Sequence, residues 1–179
     1  KIAKHYIAGM LKHAPEITCI TNQWINSYKR LVPGYEAPVY LSWARRNRSD
    51  LIRVPEYRPG REEATRIEFR SPDPACNPYL AFSVMLAAGL DGIEKGYQAP
   101  NPVEENVYEM TEEKRKEKGI STLPASLLEA IELTEKSEMV RRALGEHVFN
   151  AFIENKKIEW DQYRTQVTEY ELKRYLPVL

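Results

Sequence analysis

Arginine and glutamate crowd one stretch of this 179-residue chain: Arg30, Glu36, Arg48, Arg53, Arg66, Glu68 and Arg70 fall within about 40 positions. From Lys29 to Arg70 there are ten basic residues, nine of them Arg, against six acidic ones, so the segment carries +4 in a chain of zero net charge. The choice of Arg is informative, because a planar guanidinium binds carboxylate or phosphate through two parallel hydrogen bonds and stays charged at any working pH. Proline and glycine punctuate the region at Pro33-Gly34, Pro55 and Pro59-Gly60. Two readings of the composition stand side by side: a converging anion site, and a set of solvated surface arginines.

Within it, Thr65-Arg66-Ile67-Glu68-Phe69-Arg70 alternates charged and uncharged residues. That period predicts a strand with Arg66, Glu68 and Arg70 on one face and Ile67 and Phe69 toward the core. A carboxylate flanked by two guanidiniums stays ionised. Glu68 could bridge its neighbours as a salt ladder, or serve as a hard oxygen ligand for Mg²⁺ or Mn²⁺ while the arginines hold anionic groups around the metal.

Three blocks carry a closer resemblance. NSYKRLVPGYEAP (Asn26 to Pro38), ARRNRSDLIRVP (Ala44 to Pro55) and TRIEFRSPDPACNPYLAFSVMLAAGLDGI (Thr65 to Ile93) resemble the C-terminal catalytic half of prokaryotic-type glutamine synthetases. The likeness runs through essentially the whole chain, including GEHVFNAFIENKKIEWDQYRTQV. It implies ATP-dependent condensation of glutamate with ammonia through a γ-glutamyl phosphate, in a cytoplasmic enzyme built of two stacked rings, a dodecamer. Carried onto the matching positions, the resemblance makes Arg30 and Arg70 the clamp on substrate glutamate. Glu36 would sit on a flap, attract ammonium and accept its proton. Arg48 would contact the transferring phosphoryl group and the substrate, Arg53 and Arg66 the nucleotide phosphates, and Glu68 the divalent metal. Arg45, Arg46, Arg58 and Arg61 remain surface charge.

The resemblance also marks what lies elsewhere: further metal ligands, other nucleotide and ammonium contacts, and a small N-terminal domain contributed by a neighbouring subunit. Two departures stand out. PGREEAT lacks the basic residue some relatives carry near Glu63. The segment NVYEMTEEKRKEKGISTLP keeps Tyr108 but replaces the motif around an adenylylated tyrosine with a longer charged stretch, as in the subgroup that is not adenylylated. Tyr108 therefore reads as a packing residue.

These side chains need a scaffold, and the pattern predicts an α+β one. Short, mainly antiparallel strands (about Val39 to Trp43, Leu51 to Val54 and Thr65 to Arg70) carry the site. An amphipathic helix opens the chain, running to about His13 before a turn at Pro15. Because Lys1 falls inside its period with no cap before it, the chain reads as the end of a longer protein. Asn77-Pro78 is an N-cap followed by a first-turn proline, starting a helix so apolar from Tyr79 to Leu90 that it should be buried all round. Gly89 and Gly92 suit close helix packing. Residues 1–100 thus hold the site and a buried helix, and 101–179 form a helical region. Its helices are expected near Pro124 to Glu135, Glu138 to Lys156 and Trp160 to Gln166, with a Thr168/Glu171 capping box starting a last one.

Composition narrows the function. The apolar run Ala81 to Leu90 is too short to span a membrane. Zero net charge without a sustained basic face disfavours nucleic acid. Cys19 and Cys76 are too few for a disulfide framework, and His5, His13 and His147 form no cluster. Beside the leading reading stand a related ligase joining glutamate to another amine, and a non-catalytic descendant of the family; the intact Arg30, Arg70 and Glu36 favour the first.

Overall fold

In a computed structural model of the chain, all residues are described except Glu36, Tyr57, Arg58 and Pro59, together with the side chain of Glu62. The first element, α1 (Ile2–Thr21), passes straight through Pro15 without the expected turn. Pro15 removes one backbone donor, a loss of about 3 kcal/mol in an exposed helix. Here Ile7, Met10, Ala14, Ile17 and Ile20 are all buried along α1, and that burial outweighs the lost hydrogen bond.

A short helix α2 (Ile25–Arg30) follows, then three two-residue strands, β1 (Trp43–Ala44), β2 (Ile52–Arg53) and β3 (Glu68–Phe69). They form one sheet in the order β1-β2-β3; β1 and β2 run parallel, β2 and β3 antiparallel. The strands are shorter than the alternation predicts, and the flank before β1 turns to another partner. Residues near Tyr40 pair antiparallel with Thr122 instead, the Leu41 amide donating to the Ser121 carbonyl and the Leu123 amide to the Val39 carbonyl, both at 2.8 Å. Ile67 and Phe69 pack against the core as the alternation requires.

Helix α3 (Pro78–Glu94) opens as predicted, the Asn77 side chain accepting from the Tyr79 and Leu80 amides. It crosses α1 at glycine. A Cβ on Gly92 would lie 2.7 Å from the Gly9 Cα, and one on Gly9 would lie 2.3 Å from the Ala88 carbonyl oxygen. Gly89 likewise gives its space to the Tyr6 ring. Only one side of α3 is enclosed, however. Ala81, Val84, Ala88, Gly89 and Gly92 are buried, whereas Tyr79, Phe82, Leu86 and Leu90 form an exposed apolar stripe on the opposite side, with Tyr79 82% and Phe82 68% accessible. All-round burial is thus not observed within this chain.

A buried polar cluster locks α1 and α3 together. His13 bonds Asp91 at 2.9 Å through Nε2 and Glu16 at 3.0 Å through Nδ1. Burial alone would lower the imidazole pKa, but these two carboxylates outweigh it and hold it above its usual value. Tyr97 and Lys95 complete the shell around Asp91, at 3.0 and 2.8 Å. The Thr134 hydroxyl donates to the Glu16 carbonyl at 2.7 Å, tying in helix α5 (Leu127–Glu135).

The charged run becomes α4 (Glu112–Glu117). Beyond α5, the helices divide differently from the prediction. α6 (Glu138–Leu144) stops at Gly145, which adopts a φ of 76° that favours glycine, and α7 (Glu146–Arg164) then continues without interruption through 157–159. Lys156 on α7 is buried and donates to the Gln23 carbonyl at 3.1 Å. The last helix, α8 (Glu169–Tyr175), has the predicted capping box between Thr168 and Glu171. It contributes no buried residue among those described, and Tyr170, Tyr175, Leu176 and Val178 lie exposed. No described helix is long and apolar enough to cross a membrane.

The glycine crossing yields a direct test. Gly92→Ala puts a methyl group against backbone, which cannot yield as a side-chain tip would, and should cost about 1–3 kcal/mol or more. Chemical denaturation of the Gly92→Ala protein should show a lowered midpoint; an unchanged midpoint would mean that α1 and α3 do not cross this closely.

Candidate active site

Arg30 ends α2, with its side chain half-buried. Its Nη1 donates to the Ser71 carbonyl at 2.9 Å, so the guanidinium is held against the segment that follows β3. Lys29, Arg30, Gly34 and Tyr35 line an open cavity of about 780 Å³. Gly34 has a φ of 84°, a backbone conformation that favours glycine. Glu36 itself lies outside the described residues.

Arg70, one residue beyond β3, directs Nη1 to the Arg48 carbonyl and, at 3.3 Å, to the Asp50 carbonyl. Ser71 is thus the hinge of the arrangement, since its neighbour Arg70 reaches one way while its own carbonyl receives Arg30. Both guanidiniums are fixed by neutral main-chain oxygens, and neither has an ion pair among the described residues. A guanidinium has five donors, so most of each fork remains for an anion.

Sheet register brings Arg53 opposite Glu68, and their side chains pair at 3.1 Å. The salt ladder therefore runs across the sheet to Arg53 and does not link Glu68 with Arg66 or Arg70. The Arg53 Nε is buried without a partner among the described residues. Arg48 and Arg66 are exposed. Arg46 belongs to the surface, its fork closing on Glu56 at 2.7 and 2.8 Å.

The loop carrying Arg48 is braced by the segment after α3. The Trp43 indole donates to the Pro100 carbonyl at 2.7 Å and the Val103 amide to the Trp43 carbonyl at 2.8 Å. The Val107 amide donates to the Ser49 hydroxyl at 3.0 Å, and the Arg45 amide to Glu104 at 3.1 Å. Tyr108 is half-buried with its ring tilted against Tyr40, 6.0 Å between centroids, and burial raises its hydroxyl pKa.

Asp50, in the same loop, was only one of six acidic residues in the sequence segment. It is fully buried, and neither carboxylate oxygen has a hydrogen-bond partner among the described residues. Burial pushes its pKa up to about 7, with Glu104 adding to the rise; the Ser42 hydroxyl and Arg70 pull the other way. No composition or spacing signal distinguishes it, since its role depends on burial.

Glu68 offers one hard oxygen donor, and no group of three or more His, Cys, Asp or Glu side chains among the described residues could by itself hold a metal. A single carboxylate fits Mg²⁺ as a partial ligand set, because that ion usually keeps several waters and shares the substrate's phosphates.

Comparison with known proteins matches this architecture to one family. Residues 1–175 fit the model of the glutamine synthetase catalytic domain. The glutamine synthetase of Mycolicibacterium smegmatis is 57% identical over 175 residues, covering 98% of this chain and 39% of that protein. That of Methanocaldococcus jannaschii is 56% identical over 171 residues, covering 96% and 37%. Among solved structures, a GmaS/ADP complex superposes with a TM-score of 0.85 at 33% identity, covering 98% of this chain and 40% of that one. The chain thus spans about two fifths of the length of the curated relatives it matches. From the arginine-bearing sheet to the helices behind it, the chain belongs to the glutamine synthetase catalytic-domain family.

Proposed function

We propose that this chain supplies the glutamate clamp, the ammonium-binding flap and one metal ligand of an enzyme that forms glutamine from glutamate, ammonia and ATP. The observation that carries the reading is the pair of guanidiniums, Arg30 and Arg70, tethered through the Ser71 and Arg48 carbonyls with most of their donors free. Two such forks suit a dicarboxylate substrate. Arg48 stabilises charge that spreads over the phosphoryl oxygens as the γ-phosphoryl of ATP moves to the substrate γ-carboxylate. Arg53 and Arg66 hold nucleotide phosphates; the ADP in the related solved structure supports a nucleotide site in the family. Glu36 takes a proton from ammonium, and the ammonia so formed displaces phosphate from the acyl phosphate. Glu68 contributes an oxygen to Mg²⁺ or Mn²⁺, which when bound neutralises phosphate charge.

Residues 1–100 then form the site-bearing part and 101–179 the bracing and assembly part of a larger cytoplasmic protein. The relatives are more than twice as long as the chain, so the 179 residues alone should make no glutamine. The half-buried Tyr108 ring against Tyr40 supports a packing role and membership of the subgroup that is not adenylylated. The uncovered apolar face of Tyr170, Tyr175, Leu176 and Val178 supports a C-terminal segment seated on another subunit of a stacked, dodecameric ring.

Three measurements on the full-length protein test this. Arg70→Lys keeps charge and loses the fork, so glutamate binding should weaken by roughly 1.5–3 kcal/mol. Unchanged affinity by calorimetry removes Arg70 from the clamp. Glu68→Gln should shift the Mg²⁺ activation curve to higher concentration, an amide being a poorer ligand for a hard cation. A superimposable curve leaves Glu68 only its Arg53 pair. Deleting 168–179 should give smaller particles by light scattering, and particles of full size would defeat the assembly reading.

A further inference from the structure

A carboxylate enclosed in protein is costly unless it is paired and hydrogen-bonded. Asp50 is wholly buried, its two oxygens have no hydrogen-bond partner among the described residues, and yet it lies within the clamp itself. Its main-chain carbonyl receives Arg70, whose other tether is the carbonyl of Arg48, two residues earlier. A structural aspartate would be expected to accept hydrogen bonds, as Asp91 does from His13, Tyr97 and Lys95. Asp50 has the opposite environment.

We propose that Asp50 is a positioning residue for the substrate clamp that exchanges a proton with solvent when a substrate carboxylate binds: protonated, it leaves the full charge of Arg70 to the ligand. The inference rests on the reading of Arg70 as a carboxylate-binding residue. The groups acting on Asp50 come from each neighbouring element. Burial opposes its charged form and Glu104, from the segment after α3, adds to that; the Ser42 hydroxyl and Arg70 after β3 favour the anion. The Tyr108 hydroxyl feels Arg70, Tyr40 and Asp50, and Arg115 lies over the Tyr40 ring at 4.7 Å from its centroid.

The sign follows from linkage. Burial holds the Asp50 pKa at about 7, so near neutrality the carboxyl is partly ionised. A substrate carboxylate arriving at Arg70 satisfies that guanidinium and adds negative charge, both of which raise the pKa of Asp50 further. Binding therefore takes up a proton, up to about half of one at pH 7, and affinity falls as pH rises through neutrality. Ionised Asp50 and the substrate compete for one cation.

Calorimetry of L-glutamate binding to the full-length protein, in two pH 7 buffers of different ionisation enthalpy, reads the proton count directly. Wild-type protein should take up a fraction of a proton. Asp50→Asn should lose that uptake and flatten the pH dependence of affinity between pH 6 and 8. Asp50→Ala, which buries no amide, should do the same and guards against an Asn variant that fails to fold. A purely structural Asp50 would alter stability and leave the proton count in place. Equal uptake in wild type and variants, or none in wild type, overturns the proposal. Failure of wild-type protein to bind L-glutamate at all would instead sink the clamp reading, and this linkage with it.

Discussion

The contact on which the molecule depends is the crossing of α1 and α3 at Gly9 and Gly92, where two backbones meet with no Cβ between them. The end of α1 in turn holds one edge of the candidate site. The Thr21 carbonyl at the end of α1 accepts from the Asp73 amide at 2.8 Å, and Gln23 just beyond donates to the Ala75 carbonyl at 2.8 Å. The segment between β3 and the Asn77 cap is therefore pinned by the helix pair. Ser71 lies in that segment, and its carbonyl fixes Arg30. Helix packing is thereby converted into guanidinium position through a few main-chain hydrogen bonds.

Electrostatics then divides the arginines into two kinds. Arg53 and Arg46 have carboxylate partners, and their charge is locally compensated. Arg30 and Arg70 are oriented by neutral carbonyls, which position a guanidinium without neutralising it. With Asp50 protonated, a cation oriented but not neutralised is preorganised for an anion, because no internal charge pair need be broken on binding. Arg30 and Arg70 are two of the charges behind the +4 excess of this stretch, and main-chain carbonyls orient both.

Features with short-range causes are legible in the sequence. The Asn77-Pro78 start, the Thr168/Glu171 box and the packing of Ile67 and Phe69 on the core all have short-range causes. What local pattern could not convey was context. Pro15 signals a turn until the burial of α1 on both sides of it is known. Alternation alone offers Glu68 its strand neighbours as partners, whereas register sets Arg53 opposite. An apolar pattern all round α3 describes a helix enclosed on every side, and this chain encloses one; Tyr79, Phe82, Leu86 and Leu90 carry the remainder of that signal. Asp50 was illegible for the same reason, since an aspartate in a polar loop gives no hint of complete burial.

The same dependence on context gives the C-terminal half a part in shaping the candidate site although it contributes no candidate ligand. Arg48 and Asp50 lie on a loop between two-residue strands, too short to hold a geometry unaided. Residues 100–110 hold it from outside, through Trp43, Ser49 and the Arg45 amide. That brace is itself anchored, since Arg115 of α4 donates to the Val107 and Met110 carbonyls while its guanidinium covers Tyr40. The charged run from Glu112 onward is accordingly more than a solvated helix: one of its cations reaches inward and supports, through Tyr40 and Val107, the loop whose carbonyls orient Arg70.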